Sequence, residues 1–121
     1  MKAERDLKRR TRAYALNIIA YTRQLNSAAS NKVIVNQLLR SSTSVGANYL
    51  AACYAKSQLD FLNKIKIVEE EIVESQYWLE LLLETNSEIA VKTTMLIKET
   101  KELIAIFAAT VVTIKRNMAN R

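Results

Sequence analysis

Residues 37–83 read QLLRSSTSVGANYLAACYAKSQLDFLNKIKIVEEEIVESQYWLELLL, and this stretch decides the fold. Across residues 41–55 there is no charged side chain. The run is nevertheless too short, and too rich in Ser, Thr and Asn, to span a bilayer, which needs about 20 mostly apolar residues. An uncharged helix has no face suited to water and must be covered on most sides. A small bundle struggles to do that alone, so part of the segment is expected to be buried against further copies of the chain. A second segment follows almost at once. In it Phe61, Ile65, Val68, Ile72, Ser75, Leu79 and Leu82 form a sustained heptad stripe, with glutamates on another side.

Working outward, the same periodicity predicts four helices. The first spans residues 3–25, with Leu7, Tyr14, Ile18, Tyr21 and Leu25 on one face. The polar run at residues 26–31 is a loop, and Ser30 or Asn31 is placed to cap the next helix. That helix spans residues 32–55, with Val35, Leu38, Ser42, Val45, Tyr49 and Ala52 inward. Its small residues Ser41, Ser42, Ser44, Gly46 and Ala47 would let a neighbouring backbone come close. A glycine in mid-helix costs roughly 1 kcal/mol relative to alanine, which a tight crossing or a bend at Gly46 would explain. Ser57 reads as an N-cap with Asp60 as a loose capping-box partner, opening a third helix over residues 58–85. Asn86 or Ser87 separates it from a fourth over residues 88–117, with Ile89, Leu96, Leu103, Phe107 and Ile114 as core positions. Four long helices with short connections pack most simply as an all-α, antiparallel up-down-up-down four-helix bundle.

Composition agrees. The chain has 121 residues, no proline, one glycine, half its residues apolar and a quarter charged. That balance favours an ordered helical domain over strands or disorder, and the length suits one domain over residues 1–121. The single Cys53 excludes an internal disulfide and is compatible with a reducing cytoplasm, the expected location. The basic start is followed by too short an apolar run for a signal peptide, and no membrane association is expected.

Catalytic readings find no support. The chain contains no histidine, so Ser-His and Cys-His nucleophile pairs are absent. The Glu-x-x-His pairs of di-metal bundle sites are absent too, and carboxylates such as Glu71 and Glu74, one turn apart, are more often solvated or ion-paired than metal-bound. Cys53 lies in an apolar helix and reads as a small buried hydrophobe. Gly46 stands alone, so no glycine-rich phosphate loop exists. The expectation is a protein that is not an enzyme and has no cofactor and no metal. Arg40 is placed to meet Glu71 or Glu74 as a structural ion pair, through the forked geometry of guanidinium and carboxylate. Asn48 is expected to hydrogen-bond across helices and fix register, as single buried asparagines can. Tyr77 and Trp78, beside Leu79, Leu82 and Leu83, read as core or interface aromatics rather than stacking platforms, because no basic residue is interleaved with them.

The charge is uneven. The net is +6, and residues 1–40 hold nine Lys and Arg against two acids, whereas residues 41–90 hold three against eight. In an up-down bundle, the start of helix one, the turn after helix two and the end of helix four share one end. That end gathers Lys2, Arg5, Lys8, Arg9, Arg10, Arg12, Lys56, Lys64, Lys66, Lys115, Arg116 and Arg121, while Glu84 and Glu88 fall at the other. Lys8, Arg9, Arg10, Arg12, Lys56, Lys115 and Arg116 are therefore the candidate nucleic-acid contacts. Solvated helix faces carry comparable charge, so the charge by itself does not decide between the two.

The ordered residues Gln37-Leu38-Leu39-Arg40-Ser41-Ser42-Thr43-Ser44-Val45-Gly46-Ala47-Asn48, then Ala55-Lys56-Ser57, Asp60-Phe61, Lys64, Glu71, Glu74 and Tyr77-Trp78-Leu79, resemble the "four helix bundle protein" family. Its members include proteins encoded in intervening sequences of bacterial 23S rRNA genes, and it looks related to the accessory variability proteins of diversity-generating retroelements. The resemblance implies a four-helix protomer that assembles as a homopentamer, with no enzyme activity. For the retroelement relatives it implies binding of nucleic acid, RNA or DNA, and of a reverse transcriptase through a basic surface. The family usually carries acidic residues just after this motif. Here Tyr49, Leu50 and Ala51 stand instead, which puts an apolar Leu50 where a charge is usual. Ser42, Gly46, Asn48, Leu50, Tyr77 and Trp78 are thus the expected helix-packing or oligomer-interface residues. Two functions compete: an oligomeric accessory protein that binds nucleic acid, and a structural or protein-docking oligomer whose charge only maintains solubility.

Overall fold

The computed structural model describes residues 2–120, with side chains from residue 6 onward. Four helices follow one another: α1 (Lys2–Thr22), α2 (Ala29–Cys53), α3 (Gln58–Thr85) and α4 (Ala90–Ala119). A single 3-10 turn, Ser87–Ile89, leads into α4. Each helix packs against its sequence neighbour, and α4 returns beside α1, closing the up-down-up-down bundle. At about 1.5 Å per residue, α4 is about 45 Å long.

The core follows the predicted stripes. Ile65, Val68, Ile72, Leu79 and Leu82 of α3 are fully buried, as are Leu38 and Val45 of α2, Ile18 of α1, and Leu103 and Phe107 of α4. Three inward positions differ by one residue from expectation. Ile34 is buried rather than Val35, Leu62 rather than Phe61, and Ile97 rather than Leu96. Ser41 and Ser75 meet between α2 and α3, with their hydroxyl oxygens 2.8 Å apart and both residues fully buried. Such small side chains let two helices run close together.

Gly46 sits where α1 and α2 cross. A Cβ built on it would lie 3.4 Å from Thr11 Oγ1 and 3.5 Å from the Thr11 carbonyl oxygen, at ordinary van der Waals contact, so the crossing is close but has room for a methyl group. The α1–α4 seam is different. The two backbones approach at few points, and long side chains bridge the gap. Tyr14 and Thr100 pair at 2.7 Å, and Tyr21 and Thr93 at 2.6 Å, all four residues being buried. Burial pushes the Tyr14 phenol up to about 12 and also raises that of Tyr21.

The helix ends show where local chemistry differs from the sequence reading. Helix α1 stops at Thr22, short of residue 25, because Gln24 and Leu25 donate to carbonyls three residues back, at Tyr21 and Thr22, in turn geometry. Helix α2 starts earlier than expected. Its N-cap is Ala28, without a side-chain cap, rather than Ser30 or Asn31. The Ala28 N–H donates to Asn26 Oδ1 at 2.9 Å, so a side chain before the helix organises its entry. Asn31 is instead drawn inward to Asn86. Each amide donates to the other's oxygen at 3.0 Å, and both residues are almost fully buried. Ser57 is the N-cap of α3, accepting from the Asp60 N–H at 3.0 Å, and the Asp60 carboxylate in turn accepts from the Lys56 N–H at 3.1 Å.

Candidate functional site

The start of α1, the turn at residues 54–57 and the end of α4 share one end of the bundle. Among the described side chains this end carries Lys8, Arg9, Arg10, Arg12, Lys56, Lys64, Lys66, Lys115 and Arg116 against Asp6, Asp60 and the two glutamates that meet Arg10, Glu99 and Glu102. Arg121 and the side chains of Lys2 and Arg5 lie outside the described residues. The opposite end is not acidic as a whole, since Arg23, Lys32 and Lys92 sit there with Glu84 and Glu88.

The cations of the basic end are not equivalent. Arg10 donates to both Glu99 oxygens at 2.8 and 2.7 Å and to Glu102 at 2.8 Å. Hydrogen bonds to Glu99 first, then to Glu102, raise its already high pKa. The charge of Arg10 is thereby balanced within the α1–α4 seam, and the residue acts as a strut between the two helices. Lys64 pairs with Asp60 one turn away, and this contact, with the Lys56 N–H, holds the Asp60 carboxyl below its usual range. Arg9, Arg12, Lys56, Lys115 and Arg116 are exposed and form no ion pair with the described residues.

Lys8 does something else. Its ammonium lies 5.7 Å from the ring centroid of Tyr54, within cation–π range. Tyr54 follows the last residue of α2, and its N–H donates to the Ala51 carbonyl at 3.1 Å, which fixes the backbone beneath the ring. The ring itself is 77% exposed. The sequence reading carried α2 to residue 55 and so placed Tyr54 within a helix, off its inward stripe; the helix ends at Cys53 and Tyr54 opens the turn. Its signal was its place between Lys8 and Lys56 at a helix end.

Beside this end, Lys8, Thr11 and Arg12 of α1 and Thr43, Gly46, Ala47 and Leu50 of α2 line an open groove of about 360 Å³. Leu50 is 48% exposed on its wall. Ser42 is fully buried, and its hydroxyl has no partner among the described residues. Asn48 donates to the Ser44 carbonyl of its own helix at 2.9 Å and not across helices. The residue is partly exposed, so its remaining polar groups are not forced to find an interhelical partner. The register-fixing amide contact lies at Asn31 and Asn86 instead.

A separate cluster forms midway along α2 and α3. Arg40 Nη1 reaches both Glu71 oxygens at 3.2 and 3.1 Å, and Nη2 pairs with Glu74. Trp78 Nε1 donates to Glu74 at 3.0 Å. That bond, followed by the Arg40 contact, lowers the Glu74 carboxyl below its ordinary range. Tyr77 stands edge-on to Trp78, with ring centroids 4.9 Å apart, and is 54% exposed. Among the described residues no group of three or more His, Cys, Asp and Glu is arranged to hold a metal ion. Among the described residues no helix is long and apolar enough to cross a membrane.

Comparison with known proteins gives the framework for this arrangement. No match was found among curated proteins. Among solved structures, the chain is similar to a protein of unknown function from the S23 ribosomal protein family of Bacteroides thetaiotaomicron. The two are 30% identical, the match covers 87% of this chain and 97% of that one, and the TM-score is 0.79. Residues 4–109 match the family described as 23S rRNA-intervening sequence protein. The chain, through almost all of its bundle, therefore belongs to the 23S rRNA-intervening sequence protein family.

Proposed function

We propose that this chain is a non-enzymatic, oligomeric accessory protein that binds nucleic acid through the basic end of its bundle. One observation carries the reading. Exposed cations from three separate segments (Arg9 and Arg12, Lys56, Lys115 and Arg116) gather at one end, and none of them forms an ion pair among the described residues. Such a surface neutralises phosphates and releases their counterions on binding. Assembly into a homopentamer would bring several such ends together and add their fields, and a reverse transcriptase is the protein partner this reading assigns. The exposed Leu50, Ile67 and Val73 on α2 and α3 favour the second reading, a protein-docking oligomer.

The test is a salt titration of RNA and DNA binding combined with light-scattering mass. Arg9→Glu, Arg12→Glu and Lys56→Glu are combined in one variant, while Arg10 is left intact because it supports the α1–α4 seam. The expected result is an oligomer whose affinity falls steeply with salt. In the variant the salt slope should flatten by about 0.7–0.9 for each phosphate that the protein no longer neutralises. An oligomer that ignores both nucleic acids at low salt would overturn the proposal in favour of the docking scaffold.

A further inference from the structure

The basic end carries an aromatic ring as well as cations, and the chemistry of that ring selects among nucleic acids. We infer that Tyr54 is a stacking platform for an unpaired base, so that the preferred ligand is single-stranded RNA or DNA rather than duplex. This inference rests on the nucleic-acid reading above and names the substrate class for it.

Two exposed tyrosines allow a direct comparison. Tyr77 is 54% exposed, but it lies on α3 with Glu80 one turn ahead and Glu70 and Glu84 two turns to either side. A polyanion is repelled from that ring. Tyr54 is 77% exposed and stands among Lys8, whose ammonium approaches its face at 5.7 Å, and Lys56 two residues on. A phosphate held at Lys56, two residues along the chain, would leave its base within reach of the ring. Position adds to charge. The Tyr54 backbone is pinned to the last turn of α2, with the Ala51 carbonyl accepting its N–H at 3.1 Å, so little backbone order is lost when a base stacks. The ring is not part of the buried core. Bases in a duplex are already stacked on both faces and are closed to a side chain on the protein surface. Unpaired bases are open, and aromatic rings with neighbouring cations recognise them regardless of sequence.

The test uses fluorescence anisotropy with labelled oligouridine, labelled oligothymidine and a labelled duplex of equal length, on the full chain. Tyr54→Ala is expected to weaken binding of both single strands by roughly tenfold, the scale of one base–aromatic stack. It should leave duplex binding and the salt slope unchanged, because every cation that meets a phosphate is still present. Tyr54→Trp should keep or tighten single-strand binding. The exposed ring is dispensable for folding, which the circular dichroism of both variants checks. Wild-type binding of single strand and duplex that Tyr54→Ala leaves untouched, or lowers equally, overturns the stacking inference and leaves the accessory role standing. Wild type that binds none of the three probes at low salt overturns both.

Discussion

The buried asparagine pair offers the sharpest test of how this bundle is held in register. Asn31 near the start of α2 and Asn86 at the end of α3 exchange two amide hydrogen bonds of 3.0 Å in near-complete burial. With Asn86→Ala, Asn31 Nδ2 keeps the Asn26 carbonyl at 3.2 Å and Asn26 Oδ1 at 3.1 Å, but its own Oδ1 loses its donor. With Asn31→Ala, Asn86 Nδ2 keeps the Leu82 carbonyl at 3.3 Å and its Oδ1 is orphaned. A net bond is worth about 1 kcal/mol, and an orphaned buried acceptor costs about 1–3 kcal/mol. Each single variant should therefore lose about 2 kcal/mol. The double variant leaves no orphan and should lose about 2–3 kcal/mol, well short of the sum. The coupling is then about 1–2 kcal/mol, and changes in helix propensity cancel in the cycle. Urea unfolding at one fixed protein concentration measures it. With a slope of about 2 kcal/mol per molar, each single variant lowers the midpoint by about 1 M. Additive losses, agreeing within about 0.5 kcal/mol, would refute the claim that the two amides act as one unit.

Two further predictions concern the packing and the charges. Gly46→Ala places its Cβ at ordinary contact distance from Thr11, 3.4 Å from Oγ1, so the propensity gain of up to about 1 kcal/mol should prevail. The melting temperature should rise by about 3 °C, whereas Gly46→Val should lower it, and a destabilised alanine variant would show that the crossing has no slack. Stability should also fall at both pH extremes. The Glu74 carboxyl is lowered in the fold, so its contribution is present above its unfolded value near 4.5 and is lost as pH drops through its folded value. Tyr14 is raised to about 12, so its contribution is present below 10 and is lost as pH climbs from 10 towards 12. Glu74→Gln should flatten the acid limb and Tyr14→Phe the alkaline limb of a urea-midpoint profile against pH. Unchanged limbs would disconnect these groups from folding.

The register of most of α3 was legible in the sequence because its stripe recurs at threes and fours from Ile65 to Leu82, a run long enough to fix the phase even where apolar residues adjoin. At residues 33–35, 61–62 and 96–97 adjacent apolar residues blur the phase of shorter runs, and there the structure selected Ile34, Leu62 and Ile97 over their neighbours. Capping at Ser57 was local and therefore visible. The entry to α2 was not, because Asn31 answers to Asn86, 55 positions away. The charge account failed in the same way at Arg10. Its partners Glu99 and Glu102 lie 89 and 92 positions along the chain, and no local pattern separates a balanced arginine from the unbalanced Arg9 and Arg12. Tyr54 escaped notice because the sequence pattern extends α2 past it, off the inward stripe.

The α1–α4 seam also bears on how the bundle comes apart. Helices α2, α3 and α4 interlock through continuous apolar stripes, and α1 grips α2 at Gly46. Towards α4, by contrast, α1 is propped on two phenol–hydroxyl contacts and one guanidinium clasp. Segments with fewer close approaches to their neighbours open at lower free energy than the rest of a fold. Amide hydrogen exchange is therefore expected to be faster along α1 than along the α3 core, and uniform protection would refute the idea. Because α1 carries Lys8, Arg9, Arg10 and Arg12, any such opening would displace four of the cations of the charged end.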